Sequence, residues 1–385
     1  MASLIYYSWG ELNKQDAIDA LRKRGLSVYE IEAKFSGYDF DQENITLIEG
    51  SIKEKKADYI FSFNYFPDVS RVAMSLGIKY ISWVYDAPHY TLESKTLAND
   101  CNYIFLFDSS LETHYRQRGI KNVYYCPLPA KIVDNTKDAA IKDDICFVGN
   151  MYDGAGDQYG QIEYLPPSIK GKLDAYINTA KALYGVDLIG ELVDEGLFSQ
   201  VSTYVQANLG EHYNDCQLEI FRNMLRRRMT MLDRFDTLKS LGDALSGGYL
   251  GHGSLALYSQ SAYKMLPVVN KGYAAHHKLP SIFNESRINL NISLRSILAG
   301  IPLRVMHILG AGGFVLTNYQ MDLVRHFENG KQLVWYMDKE DMMEKAAYYL
   351  NHEDERRKVS LAGQSYARDY LTYESLFGEI FNRVG

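Results

Sequence analysis

Cysteine is scarce in this 385-residue sequence: Cys101, Cys126, Cys146 and Cys216 are the only four, and no two form a C-x-x-C pair. Such spacing offers neither a zinc site nor a disulfide framework and fits reduced thiols in a cytosol. Long hydrophobic runs are missing as well. The apolar stretches Ile104–Phe107 and Gly313–Thr317 fall far short of the roughly 20 residues that cross a bilayer, and Arg304 and His307 interrupt the greasy region from Ile297 to Leu316. The opening MASLIYYSWGEL has no basic n-region and no long apolar core, so a first strand is expected there rather than a signal peptide. Positive charge is not in excess: 41 Lys and Arg stand against 48 Asp and Glu, a formal charge of −7, which disfavours a nucleic-acid partner. Three familiar signatures are also absent, namely the P-loop, the G-x-S-x-G elbow and H-E-x-x-H. Gly154-Ala-Gly156-Asp-Gln-Tyr-Gly160 is one residue too long for a dinucleotide fingerprint, and His352-Glu353 reads as solvated helix surface.

What is present is an ordinary globular composition, 46% apolar and 23% charged, with tyrosine in excess at 31 residues. Tyrosine suits sugar or base recognition and also suits strands. The length predicts two domains. The first 130 residues alternate short apolar strands (Leu4–Ser8, Val28–Ile31, Tyr59–Phe63, Tyr80–Tyr85, Tyr103–Phe107, Asn122–Tyr125) with polar helical segments such as Lys14–Arg24. Nearly unbroken apolar strands alternating with helices predict a parallel sheet covered on both faces, a Rossmann-like domain. Lys131–Asp144 is polar and charged like a linker. A second α/β series follows, with strands at Ile145–Val148, Leu255–Tyr258, Val268–Val269, Ile288–Asn291, Phe314–Thr317 and Leu333–Tyr336. An all-helical stretch of residues 165–245 interrupts it, with helical spacing at Leu173–Leu183, Leu192–Leu209 and Leu218–Leu241, and the tail from Lys339 is helical. Ligands of such sheets bind beyond the carboxyl ends of the strands, so a cleft between the two halves is the expected site.

The stretch from Phe283 to Gln320 carries the most chemistry. It reads as strand (RINLN), loop (ISLRSILAGI), helix (PLRVMHIL), glycine turn and strand (FVLT), with Pro302 in the first helical turn. Free amides at a helix start beyond a strand end favour a phosphate. Ser293 lies in that loop, and Arg295 and Arg304 flank it with charge for an anion, or with bridges to acidic neighbours. Asn289 and Asn291 share one face of their strand and predict a structured polar contact. Arg226–Arg228 reads as a solvated helix face.

The pattern IPLR-x-x-x-I-x-G-x-G-G-F-x-L-T-N-Y resembles the C-terminal half of bacterial glycosyltransferases related to the spore-maturation protein CgeB. SWVYDAPHY (Ser82–Tyr90), FLFD (Phe105–Asp108) and GIKNVYYCP (Gly119–Pro127) resemble that family's N-terminal domain, FVGNMY the opening of its second domain, and the ending YYLNHEDERRKVSLAGQSYARDYLTYESL its tail. The resemblance implies the GT-B fold: α/β, two Rossmann-like domains facing a cleft. The acceptor-side domain is expected over 1–135 and the nucleotide-sugar domain over 136–365. The latter holds a helical insertion at about 165–245, and a final helix over 366–385 packs back on the N-terminal domain. It implies a cytoplasmic glycosyltransferase of hexosyl or N-acetylhexosaminyl type that uses a nucleotide-diphosphate sugar, guessed as a UDP-sugar, on a hydroxyl of a protein or glycan. No metal or other cofactor is expected, and neither a nucleic acid nor a membrane span. A glycan- or partner-binding module without activity and a nucleotide-sugar epimerase are the alternatives.

On that resemblance Gly149, Asn150, Lys271, Asn291, Ser293, Arg295, Arg304, His307, Asn318 and Tyr319 are the expected donor-binding residues. Many retaining GT-B enzymes carry a glutamate pair, E-x7-E, around this loop and helix. Here the two positions are Ala299 and His307, and the histidine remains able to hydrogen-bond a ribose hydroxyl. Asp86 is the candidate general base, because it closes an apolar strand just before Ala87-Pro88, where a carboxylate can face a substrate. His89 is the alternative base or an orienting partner of Asp86, and Trp83 and Tyr85 share a core-facing side of the same strand.

Overall fold

The computed structural model describes residues 2–33, 40–134, 140–153, 160, 164–202, 204, 217–251, 253–260 and 266–385. The glycine-rich Gly154–Gly156 turn, Cys216 and the middle of the predicted linker lie outside the described residues. The chain forms two compact units. The first comprises the chain up to Pro129 together with the tail from Tyr370, and the second holds most of the chain between Ala130 and Asp369.

The first unit runs β1 (Ser3–Ser8), α1 (Lys14–Lys23), β2 (Ser27–Glu32), α2 (Gln42–Lys55), β3 (Tyr59–Phe63), α3 (Pro67–Leu76), β4 (Lys79–Val84), β5 (Asn102–Leu106), α4 (Ser109–Gln117) and β6 (Val123–Tyr125). The six strands are parallel in the order β2-β1-β3-β4-β5-β6. Helices cover both faces, which is why segments such as YIFSF and YISWV are apolar on both sides. The connection direction reverses between β1 and β3, so the carboxyl ends of these strands mark the switch point where ligands of such sheets bind. Helix α1 buries Ala17, Ile18 and Leu21. Beyond its end Gly25 takes a φ of 89°, which a side chain would resist.

The second unit contains β7 (Asp143–Val148), α5 (Pro167–Lys181), α6 (Leu188–Leu192), α7 (Glu195–Val201), α8 (Gln217–Ser246), β8 (Leu255–Tyr258), β9 (Val269–Asn270), α9 (Leu279–Asn284), β10 (Ser286–Asn291), α10 (Leu303–Ala311), β11 (Val315–Asn318), α11 (Leu323–His326), β12 (Val334–Tyr336), α12 (Lys339–Asn351) and α13 (Glu353–Tyr370). Its sheet is again six-stranded and parallel, in the order β12-β11-β10-β7-β8-β9, with the switch point between β7 and β10. The last helix, α14 (Tyr373–Val384), belongs to the first unit, where Tyr373, Leu376, Phe377 and Ile380 pack with Trp83, Phe61 and α1. Trp83 and Tyr85 therefore do line one core face, as their alternation predicts.

The helical stretch has a core of its own, built from Leu173, Ile177, Ile189, Leu197, Phe221, Leu225 and Met229. Its longest helix, α8, spans 30 residues and serves two cores, because its later residues Leu238, Leu241 and Leu245 pack on the sheet. Three local expectations change. Leu192 ends α6 and Asp194 caps a separate α7 through the amide of Leu197, so helical spacing from Leu192 onward does not make one helix. Pro302 is the extended N-cap of α10 rather than a residue of its first turn. In the arginine run only Arg227 is exposed; Arg226 is 3% exposed and pairs with Asp187 at 2.6 Å and Glu219 at 2.5 Å. Among the described residues no helix is long and apolar enough to cross a membrane.

Candidate active site

Two loops close the switch point of the second unit, one after β7 and one after β10. Asn291 at the end of β10 donates to Thr317 Oγ1 at 2.9 Å and to Ser293 Oγ at 3.2 Å, and Asn318 Oδ1 accepts from the Ser293 amide at 2.7 Å. Asn289, one step inside, donates to the carbonyls of Phe283 and Phe314. The buried asparagines thus make the structured contact that their position predicts. Asn291, Ser293 and Asn318 shape the loop by bonding one another.

Arg295 has a different placement from the one expected of it. Its guanidinium pairs with Asp233 at 2.8 Å, donates to the carbonyls of Leu183 and Lys181, and stacks 4.0 Å from the centre of the Tyr184 ring. Its amide donates to Thr230 Oγ1. A guanidinium so completely engaged organises the loop rather than meeting an anion. Lys271 is likewise paired, at 3.4 Å, with Asp143 at the start of β7.

Arg304 stands in contrast. It sits in the first turn of α10, over the Phe283 ring at 5.6 Å, and its Nη1 is buried with no hydrogen-bond partner. Burial pushes its pKa down to about 10, and nearby Arg234 pushes the same way. One turn later His307 also has a buried, unpartnered Nδ1, and its ring meets that of His276 at 5.3 Å. Burial, then Arg304 and His276, push its pKa down to about 3, so the imidazole is neutral at pH 7. The first amides of a helix have no intrahelical acceptor. An unbonded cation, a neutral imidazole and a helix start therefore meet here, a combination suited to an anion with adjoining hydroxyl groups.

In the loop after β7, a Cβ on Gly149 would lie 3.0 Å from the Phe147 ring, so glycine allows the chain to pass close over it. Asn150 makes a turn by accepting from the Tyr152 amide at 2.7 Å. Tyr152 holds a left-handed φ of 56°, a strained setting for a large side chain. Tyr319, just past β11, is half-buried with its ring 6.4 Å from that of Trp335.

In the first unit Asp86 is exposed beyond β4, and its Oδ2 accepts from Asn64 Nδ2 at 2.7 Å. Asn64 follows β3 with φ 61°, and its Oδ1 accepts from the amides of Tyr85 and Asp86. Asn64, not His89, is therefore the residue that orients Asp86. His89 accepts the Tyr65 amide at 3.0 Å through Nε2, with Thr91 Oγ1 at 2.7 Å from the same nitrogen. Burial lowers its pKa. This ties His89 to the loop after β3 and leaves Asp86 as the available carboxylate. Sequence reasoning missed Asn64, although an asparagine directly after an apolar strand is a readable signal for a left-handed turn. Among the described residues no group of three His, Cys, Asp or Glu side chains is placed to hold a metal ion.

Residues 227–382 match the family described as Glycosyl transferase-like, a span that takes in Arg295, Arg304, His307 and most of α8. No curated protein matches the sequence. Among solved structures the chain is similar to sucrose-phosphate synthase from Thermosynechococcus elongatus (TM-score 0.55, 9% identity, covering 100% of this chain and 99% of that one). It is also similar to the T4 phage protein BGT in complex with its UDP-glucose substrate (TM-score 0.53, 8% identity, 100% and 99%). A third is Anabaena HepE in complex with UDP and glucose (TM-score 0.52, 8% identity, 100% and 99%). At such identities the likeness establishes architecture: the chain has two Rossmann-like units of the GT-B fold.

Proposed function

We propose that this protein is a glycosyltransferase that moves a hexosyl or N-acetylhexosaminyl group from a nucleoside-diphosphate sugar to a hydroxyl of a glycan or protein, without a metal ion. The carrying observation is the buried, unpartnered Nη1 of Arg304 at the start of α10, beside the neutral, unpartnered His307. A leaving diphosphate carries charge that such a donor stabilises as the glycosidic bond breaks. His307, in the place where a ribose-binding glutamate stands in many GT-B enzymes, hydrogen-bonds a ribose hydroxyl. Gly149, Asn150 and Tyr319 border the nucleotide, while Asn291, Ser293, Asn318 and Arg295 hold the loop in shape. Asp86, fixed by Asn64, accepts the proton of the acceptor hydroxyl. The Glycosyl transferase-like match over 227–382 supports the reaction class, and the UDP and UDP-glucose held by structurally similar proteins support a uridine donor. The subtype related to CgeB and a cytoplasmic setting rest on the sequence resemblance.

The test is incubation of the purified chain with UDP-, GDP-, CMP- and dTDP-sugars in EDTA. Release of free nucleotide from one of them is expected. Thermal stabilisation by a nucleotide without any release points instead to a binding module. Conversion of the sugar without an acceptor, seen by NMR, points to an epimerase. No response to any nucleotide removes the reading.

A further inference from the structure

The long helix α8 delivers a second arginine to the same place. Arg234 is 8% exposed and lies across the switch point of the second sheet. Its Nη2 and Nε donate to the carbonyl of Ile292, at 2.7 and 3.2 Å, in the loop after β10, and its Nη1 donates to the carbonyl of Asn150 in the loop after β7. Aromatic rings of Phe147 and Tyr152 lie 5.4 and 5.2 Å from the guanidinium carbon. The strained backbone of Tyr152 is what sets its ring there. No carboxylate among the described residues pairs with Arg234, since the adjacent Asp233 is engaged by Arg295. A guanidinium has five N–H groups, and three are used by these carbonyls. Arg304, the neighbouring cation, has an unpartnered Nη1 and no carboxylate either.

We propose that Arg234 is a further donor-binding residue, facing the pyrophosphate of the nucleotide from the β7 side of the switch point while Arg304 faces it from α10. The inference rests on the reading of the preceding section. Two buried cations without a counter-carboxylate repel one another, and a pyrophosphate between them removes that repulsion while filling the remaining N–H groups. The carbonyl bonds give Arg234 its other task, which is to hold the two loops at a fixed spacing around the anion. The helical stretch is then a part of the nucleotide site and not an ornament upon it.

The test is calorimetric titration of the full chain with UDP and with UMP, in the wild type, R304Q and R234Q. The wild type is expected to prefer UDP. In R234Q the UDP affinity is expected to fall by at least about tenfold and the UMP affinity by less than about threefold, the signature of a lost phosphate contact. Equal losses for both ligands would make Arg234 a loop tie only and overturn the proposal. Should the wild type bind neither ligand, the donor reading itself falls; a UDP preference lost in R304Q but kept in R234Q overturns this inference alone. A measurement on the unaltered chain guards against misfolding of R234Q. Inorganic pyrophosphate is expected to shift the arginine Nε NMR signals of both Arg234 and Arg304, assigned with R234K and R304K, while uridine leaves them in place. A pyrophosphate titration that moves only the Arg304 signal also overturns it.

Discussion

At the carboxyl end of the first sheet Asp86 is bonded by Asn64, and Asn64 in turn is bonded by the amides of Tyr85 and Asp86. At the carboxyl end of the second, Arg304 and His307 each keep a buried polar atom with no partner. The first arrangement holds a functional group still. The second leaves hydrogen-bonding capacity unspent in a place where water does not reach, and a buried polar atom left so costs stability until something fills it. The same second unit shows that this is selective: Arg295 is paired with Asp233, and Arg226 with Asp187 and Glu219. Structural arginines here have carboxylates, and the two that border the proposed nucleotide do not.

That contrast can be broken in four ways. The largest effect is expected from D233N. It leaves the 8%-exposed guanidinium side chain of Arg295 without its counter-charge, and loss of one partner of a buried pair costs about 3–5 kcal/mol. Urea unfolding should show it, and a change below about 1 kcal/mol would mean that Arg295 is not a structural cation. R304A should behave in the opposite manner. Turnover should fall by more than tenfold, toward the factor of about 10²–10³ that a lost preorganised donor costs. The unfolding midpoint should hold or rise, because no internal partner is lost. Unchanged kinetics would remove the assignment.

N64G tests the first unit. Glycine accepts the φ of 61° but cannot hold Asp86. The turnover number is expected to drop about tenfold, as for a misoriented proton acceptor, with the donor KM unmoved. A rise in donor KM at constant turnover would place Asn64 elsewhere in the mechanism.

The smallest effect concerns His307. Its native pKa of about 3 lies below the usual 6.5, so it is neutral when folded and takes up a proton on unfolding below pH 6.5. Stability is therefore present above that pH and is lost as the pH falls toward 3. Between pH 7.5 and 5.5 the wild type should lose about 1.4 kcal/mol more than H307Q. Parallel pH profiles for the two proteins would show that His307 is not held neutral by burial.

Much of this architecture was written in the sequence, and for one reason. Strands buried on both faces must be continuously apolar, so YIFSF, YISWV and FVLT announce themselves, and every strand of both sheets overlaps a segment predicted from such runs. The chemistry was legible only in part. Arg295 and Arg304 look alike in a sequence, each a cation near a helix start. What separates them is Asp233 and the carbonyls of Lys181 and Leu183, which lie far away in the chain and come near only through packing. Arg234 was lost among the arginines of a helical stretch for the same reason. The break between α6 and α7 was missed because leucine spacing continues across Val193, while the Asp194 cap that interrupts it is a local polar signal.

Helix α8 is gripped at one end by Phe221, Leu225 and Met229 and at the other by Leu238, Leu241 and Leu245, with Thr230, Asp233 and Arg234 along the shaft between. A stiff rod clamped in this way cannot shift at one clamp without carrying its middle along. Whatever grasps the outer helices tugs on the two loops that Arg234 ties together, so crowding or thinning the distant clamp should register as a change in nucleotide affinity.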